Sequence, residues 1–183
     1  MVNLFILGST ALIAWGIVLY NRLVRERNLV KTAWSDIDVQ LKRRYDLIPK
    51  LVAAVEQYAR YEQSTLQAII AIRSQAIRHD SVDVKAPLEK QLADGLGKLI
   101  ALAEAYPELK ADRNFLELQS DVTEVENHIQ YARRFYNGAV RNLNTRIESF
   151  PDLLIARLLG FQVQPFFELE SAIESNPPEA FSQ

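Results

Sequence analysis

The sequence predicts an all-α protein: an N-terminal transmembrane helix that continues into an antiparallel bundle of long helices, of four-helix type. Three observations carry this reading. No charged side chain occurs from Met1 to Asn21, whereas Arg22, Arg25, Arg27 and Lys31 follow within ten residues. Beyond that boundary, apolar residues recur at steps of three and four over long stretches, the period of a helix face. The connections between these stretches are short, as in bundles packed at shallow crossing angles.

Leu4 to Tyr20 reads LFILGSTALIAWGIVLY, with Ser9 and Thr10 as its only polar side chains. Val2 to Tyr20 spans roughly 28 Å as a helix, close to the thickness of a bilayer's hydrocarbon core. Both hydroxyls can bond to carbonyls one turn back, so they cost little in lipid. Trp15 and Tyr20 are amphipathic, and Tyr20, beside Asn21 and Arg22, suits the headgroup level. A cleaved signal peptide is the competing reading; the run lacks a basic leader and a small-x-small cleavage site. Residues 1–21 are therefore expected to be an uncleaved anchor. The basic flank favours a cytoplasmic location for the domain and an outside N-terminus.

About 162 residues remain, enough for one domain with a sizeable core. The 21 basic and 23 acidic residues nearly cancel, so no global field points to nucleic acid. Their distribution is uneven. Arg22 to Lys50 holds eight basic residues against Glu26, Asp36, Asp38 and Asp46, a net of +4. After Arg157 there is no basic residue, and Glu168, Glu170, Glu174 and Glu179 contribute −4. A basic stretch beside the membrane suits anionic headgroups, which would repel the acidic tail unless it folds back onto the basic stretch. The chain has no cysteine, which excludes disulfides and thiolate chemistry.

Leu23, Val30, Ala33, Ile37 and Leu41 share one face, and nothing breaks the helix between the anchor and about Tyr45. Asp46 and Pro49 then read as a restart, Asp as N-cap and Pro in the first turn. The second helix would run to about Arg78, with Glu62 interrupting its stripe. A third, from about Lys85 to Tyr106, carries Leu88, Leu92, Leu99 and Leu102. Gly95 and Gly97 weaken it, by about 1 kcal/mol each relative to Ala, for close helix packing or as a hinge. Pro107 ends it. Asn114 and Glu117 resemble a capping box and open the clearest helix, in which Phe115, Leu118, Val122, Val125, Ile129, Ala132, Tyr136, Ala139, Leu143 and Ile147 form a coiled-coil-like seam. Its 35 or so residues make a rod of roughly 50 Å. Phe150-Pro151 stops it; a short amphipathic helix, Leu153 to Leu159, follows and Gly160 closes it. Residues 22–160 are thus the bundle, and 161–183 an acidic, proline-containing tail that Phe166 and Phe167 could pin at its start.

YNRLVRERNLVKTAWSDIDVQLKRRYDLIPKLVAAVEQYA after an anchor, FLELQSDVTEVENHIQYARRFYNGAVRNLNTRIESFPDLLIARLLGF in the second half, and PFFELE near the end together resemble the LemA family. WSDIDVQLKRRYDLIPKLV is the most specific stretch. The resemblance implies a single-pass bacterial protein of the cell (inner) membrane with a helical-bundle domain. Some members are linked with membrane proteases or with organising membrane compartments. The family's pattern usually carries a basic residue where His128 stands, and it supplies no catalytic residues to carry over.

There is no phosphate-binding glycine loop and no HExxH. Glu124 and His128 could face one metal, but a dimetal bundle needs Glu-x-x-His twice. Asp36 and Asp38 point about 200° apart on a helix. No catalytic residue, metal, cofactor, nucleic-acid partner or small-molecule substrate is expected. Three other groups stand out. Arg22, Arg25, Arg27 and Lys31 form a membrane-proximal basic collar. Lys42, Arg43, Arg44 and Lys50 lie where the first helix is expected to turn, a candidate partner surface. Trp34, Asp38, Arg133 and Asn137 are candidates for a buried polar layer fixing helix register, for instance through Asp38 with Arg133 or Arg134. The functional expectation is a non-enzymatic scaffold or adaptor working through protein contacts, with a membrane protease or a second copy as partner. An anionic-lipid module that shapes the membrane is the alternative, and an enzyme with an unrecognised site a distant third.

Overall fold

A computed structural model describes residues 2–168. Among these the regular elements are all helical. They are α1 (Val2–Glu56), a 3-10 turn (Arg60–Glu62), α2 (Gln63–Arg78), α3 (Val82–Ala103), α4 (Pro107–Ala111), α5 (Arg113–Glu148) and α6 (Asp152–Leu158). The described residues group into two compact units, one of residues 2–47 with 120–166, the other of 48–119 with 167–168.

α1 does not restart at Asp46. It runs unbroken to Glu56 with Pro49 inside it. An interior proline costs a helix about 3 kcal/mol. Here Tyr45, Ile48, Leu51, Val52 and Val55 continue one buried stripe past it, while Pro49 itself is exposed. Burying such side chains contributes about 1.5–3 kcal/mol each, which outweighs the loss. The break comes instead after Glu56. The Tyr58 and Ala59 amides both donate to the Val55 carbonyl, at 3.0 and 2.9 Å, and the 3-10 turn follows.

In the first unit α1 and α5 run antiparallel. Arg44 faces Glu126, Trp34 faces Tyr136 and Glu26 faces Arg146. A fall of 18 residues along α1 is therefore matched by a rise of 20 along α5. Leu23, Ala33, Ile37 and Leu41 are buried from α1, and Val122, Val125, Ile129, Ala139 and Leu143 from α5. Along the apolar segment, Ser9 donates to the Phe5 carbonyl at 2.9 Å and Thr10 to that of Ile6 at 2.6 Å. Most other side chains of this segment are exposed, including Phe5, Leu12, Ile13 and Ile17. The segment is long and apolar enough to cross a membrane.

Beyond a cis Phe150-Pro151 bond, α6 ends in a Schellman motif. The Phe161 amide donates to Ala156 at 2.9 Å and that of Gly160 to Arg157 at 3.4 Å. Gly160 supplies the positive φ of 70° this cap requires. The chain then returns along α5 in extended form. Asn144 donates to the Gln164 carbonyl at 2.9 Å and accepts from its amide at 2.8 Å, and the Tyr136 hydroxyl donates to Pro165 at 3.0 Å.

In the second unit α2 and α3 pack as an antiparallel pair joined by His79–Ser81, with Leu66, Ile69 and Ala76 facing Leu92, Leu96 and Leu99 as the buried positions. A Cβ at Gly95 would stand 3.1 Å from Ile69 Cγ1, so this glycine permits the close approach of the two helices; at Gly97 the same position is open. α4 begins with Pro107. The cap of α5 is Asp112 rather than Asn114: its Oδ1 accepts from the Phe115 amide at 2.9 Å. Asp112 also accepts from the Tyr58 hydroxyl at 3.4 Å. Phe167 is fully buried and Phe166 is not. Glu170, Glu174 and Glu179 of the acidic tail lie outside the described residues.

Candidate membrane and partner surfaces

Arg22, Arg25, Arg27 and Lys31 are all exposed on α1, directly after the apolar segment. Their positions form a collar on a helix already anchored by its own unit, because Leu19 and Leu23 are buried on either side of the charge boundary. Glu26 belongs to a small network: Arg146 lies 3.5 Å from it and 3.6 Å from the mostly buried Asp152. Arg27 places its guanidinium 5.2 Å from the centre of the Phe161 ring, and the Tyr20 ring meets the same phenyl edge-on at 6.1 Å.

The expected helix turn carrying Lys42, Arg43, Arg44 and Lys50 does not exist, since α1 continues past it. Lys42, Arg43 and Lys50 are exposed on the helix side. Arg44 is not a surface residue: it is 1% exposed, and its Nη1 donates to Glu126 Oε1 at 2.6 Å. Arg44 stands three residues after Leu41 and four before Ile48, on the buried stripe itself. The same spacing marks Lys85 and Glu89 on α3, both buried, in steps leading to Leu92, Leu96 and Leu99. Sequence alone hides these buried charges, because an apolar stripe shows itself only through its apolar residues.

Of the expected polar layer, Trp34 packs on Tyr136 with ring centres 5.5 Å apart. Asp38 lies 2.7 Å from Lys42 one turn on, and Arg134 lies over the Tyr131 ring at 4.8 Å. Arg133 and Asn137 are half-buried. Glu126, not predicted, supplies the carboxylate of the buried pair.

A surface groove of about 250 Å³ is lined by Arg43, Asp46, Leu47, Asp121, Glu124 and Val125. Glu124 lies 3.4 Å from His128, both well exposed. Among the described residues no group of three or more His, Asp or Glu side chains is arranged to hold a metal ion. On the outer face of α5, Tyr131 and Phe135 are 65% and 52% exposed, one turn apart.

The model of the LemA family matches residues 33–181. The chain belongs to the LemA family. Protein LemA of Metamycoplasma hominis is 31% identical over 150 residues, covering 81% of this chain and 68% of that protein. Magnetosome protein MamQ 2 of Paramagnetospirillum magneticum is 23% identical over 193 residues, 91% of this chain and 71% of its own. Magnetosome protein MamQ of Magnetospirillum gryphiswaldense is 21% identical over 198 residues, 94% and 73% respectively. Neither name describes an enzyme. The LemA match begins within α1 at Ala33, eleven residues past the start of the basic collar, and takes in both the Arg44–Glu126 pair and the α5 seam.

Proposed function

We propose that this LemA-family protein is a membrane-anchored, non-enzymatic helical scaffold that works by holding a protein-binding surface at a set place above the bilayer. The observation that carries this reading is the continuity of α1. The apolar segment passes into the first unit without a break, and Leu19 and Leu23 are buried in that unit across the charge boundary. An anchor on a flexible leash would leave the domain free to tumble; a helix whose apolar end is already packed against its own domain does not. Tyr131 and Phe135 give the scaffold an exposed aromatic contact, and aromatic residues are enriched at such contacts. The partner is another membrane protein, a protease among the candidates, or a second copy of the chain.

The test is site-specific photo-crosslinking from Tyr131 and Phe135 in the full-length protein in its native membranes. Discrete protein adducts from both positions, absent when the crosslinker sits at Asp94 on the second unit, are expected. Adducts to lipid alone would overturn the reading.

The exposed collar of Arg22, Arg25, Arg27 and Lys31 supports a second reading, an anionic-lipid module organising the membrane surface. A crosslinker at Lys31 would then capture anionic lipids in preference to neutral ones, and salt would suppress the capture. The same collar favours a cytoplasmic domain and an outside N-terminus at the cell membrane. Because the chain has no cysteine, single cysteines at Asn3 and Arg43 would report their sides directly to an impermeant thiol reagent.

A further inference from the structure

The end of the α5–α6 region exposes Phe150, Leu154, Leu158 and Leu159, at 77%, 57%, 78% and 51% respectively. Leu154 and Leu158 are one turn apart and so share a face of α6. The opposite face is fixed to the protein: Asp152 and Ala156 are buried, and Arg146 lies 3.6 Å from Asp152. α6 is therefore amphipathic in an unusual sense, with its apolar residues outward and its acidic one inward. Arg157 is the single charge between Leu153 and Val163, and it is exposed.

The place of α6 along α1 says what covers this face. Ile155 Cδ1 lies 3.9 Å from the point a Cβ on Gly16 would occupy, and Phe161 meets the Tyr20 ring. Gly16 is six residues, or about 9 Å, on the apolar side of Arg22. The helix thus lies alongside the last turns of the membrane segment, not at the level of the basic collar. An interfacial amphipathic helix buries its apolar face about 5–10 Å into the boundary between headgroups and acyl chains, and α6 stands at that depth.

We propose that α6 is a second membrane contact, seated in the bilayer interface beside the anchor, with Leu154 and Leu158 among the acyl chains. Arg157 extends its stem along the apolar surface and delivers its guanidinium to lipid phosphate. Phe161, held between Tyr20 and Arg27, marks where the chain leaves the lipid. This assignment rests on the reading that Val2–Tyr20 spans the membrane.

The chain's lack of cysteine makes a depth measurement direct. Nitroxide labels are placed one at a time at Leu12, Leu154, Leu158 and Lys42 of the full-length protein in phosphatidylcholine–phosphatidylglycerol nanodiscs. Collision with oxygen, which concentrates in lipid, is compared with collision with a water-soluble nickel complex. Labels at Leu154 and Leu158 should favour oxygen, as at Leu12, the reverse of Lys42. A water-like response at 154 and 158 with a lipid-like one at 12 would overturn the assignment and leave the anchor standing. A label at 154 or 158 shielded from both agents would show protein on this face and overturn it as well. A water-like response at 12 would sink both readings together.

Discussion

Arg44 donates from Nη1 to Glu126 Oε1 across 2.6 Å, from a side chain that is almost wholly inaccessible to solvent. Glu126 is 29% exposed, so the two partners differ in what water can do for them. Taking away Glu126 leaves a buried cation without this carboxylate; taking away Arg44 leaves a carboxylate that water reaches. Glu126→Leu should lower the unfolding free energy by about 3 kcal/mol. Arg44→Met, which keeps volume and removes the charge, should cost less than that. Thermal unfolding of the full-length protein in nanodiscs ranks the two variants, and the opposite order would contradict the asymmetry.

The two glycines of α3 should respond with opposite tendencies. Gly97→Ala enters open space and should stabilise by about 0.5–1 kcal/mol, the difference in helix propensity. Gly95→Ala brings a methyl to 3.1 Å from Ile69 Cγ1 in the core, so it should fall short of Gly97→Ala. In an Ile69→Ala background that shortfall should vanish. Denaturant titration of the three single variants and of both glycine variants in the Ile69→Ala background gives the coupling; equal effects at 95 and 97 in the wild-type background would remove the close-packing account.

Two candidates for the cap of α5, two residues apart, can be separated by truncation. Asp112→Ala should cost about 1 kcal/mol, because the Phe115 amide loses its acceptor. Asn114→Ala should stay within about 0.5 kcal/mol, as an exposed first-turn change. A larger loss at 114, measured in the same melts, would return the cap to the position that its pattern with Glu117 suggests.

The strap after α6 depends on one amide side chain. Asn144→Ala removes both hydrogen bonds to Gln164, and hydrogen exchange at the Gln164 amide should speed up by about tenfold or more. Tyr136→Phe removes the bond to Pro165 but neither bond to Gln164, and should leave exchange at Gln164 nearly unchanged. Exchange that is indifferent to Asn144 would mean that other contacts hold the strap.

Much of this architecture is written in side-chain period. The α5 stripe predicted from Phe115 to Ile147 is the buried stripe of the structure, with only Leu118 and Ala132 partly open. The long apolar N-terminal helix, its hydroxyl bonds at Ser9 and Thr10 and the closing role of Gly160 follow from local chemistry, and local chemistry is what sequence displays. Pro49 misled because its local cost is known while the burial that offsets it, at Ile48, Leu51 and Val55, is tertiary. Arg44 misleads in the other direction, and Lys85 and Glu89 share its pattern. Each occupies a correct heptad-like position, but charge at such a position becomes meaningful only once a partner such as Glu126 is known. The register of α1 against α5, which sets Ile155 beside Gly16, was beyond reach because pairing between distant segments leaves no mark in either alone.

The clasp of Asn144 on Gln164 also carries the chain away from the apolar end of α1. Pro165 is bonded to Tyr136, and Tyr136 packs on Trp34, fourteen residues and about 21 Å along α1 from Tyr20. Electrostatic forces between exposed charges fade over about 8 Å at physiological ionic strength. Pro165 thus stands more than two screening lengths along α1 from Tyr20, out of reach of any surface charge at the level of that ring.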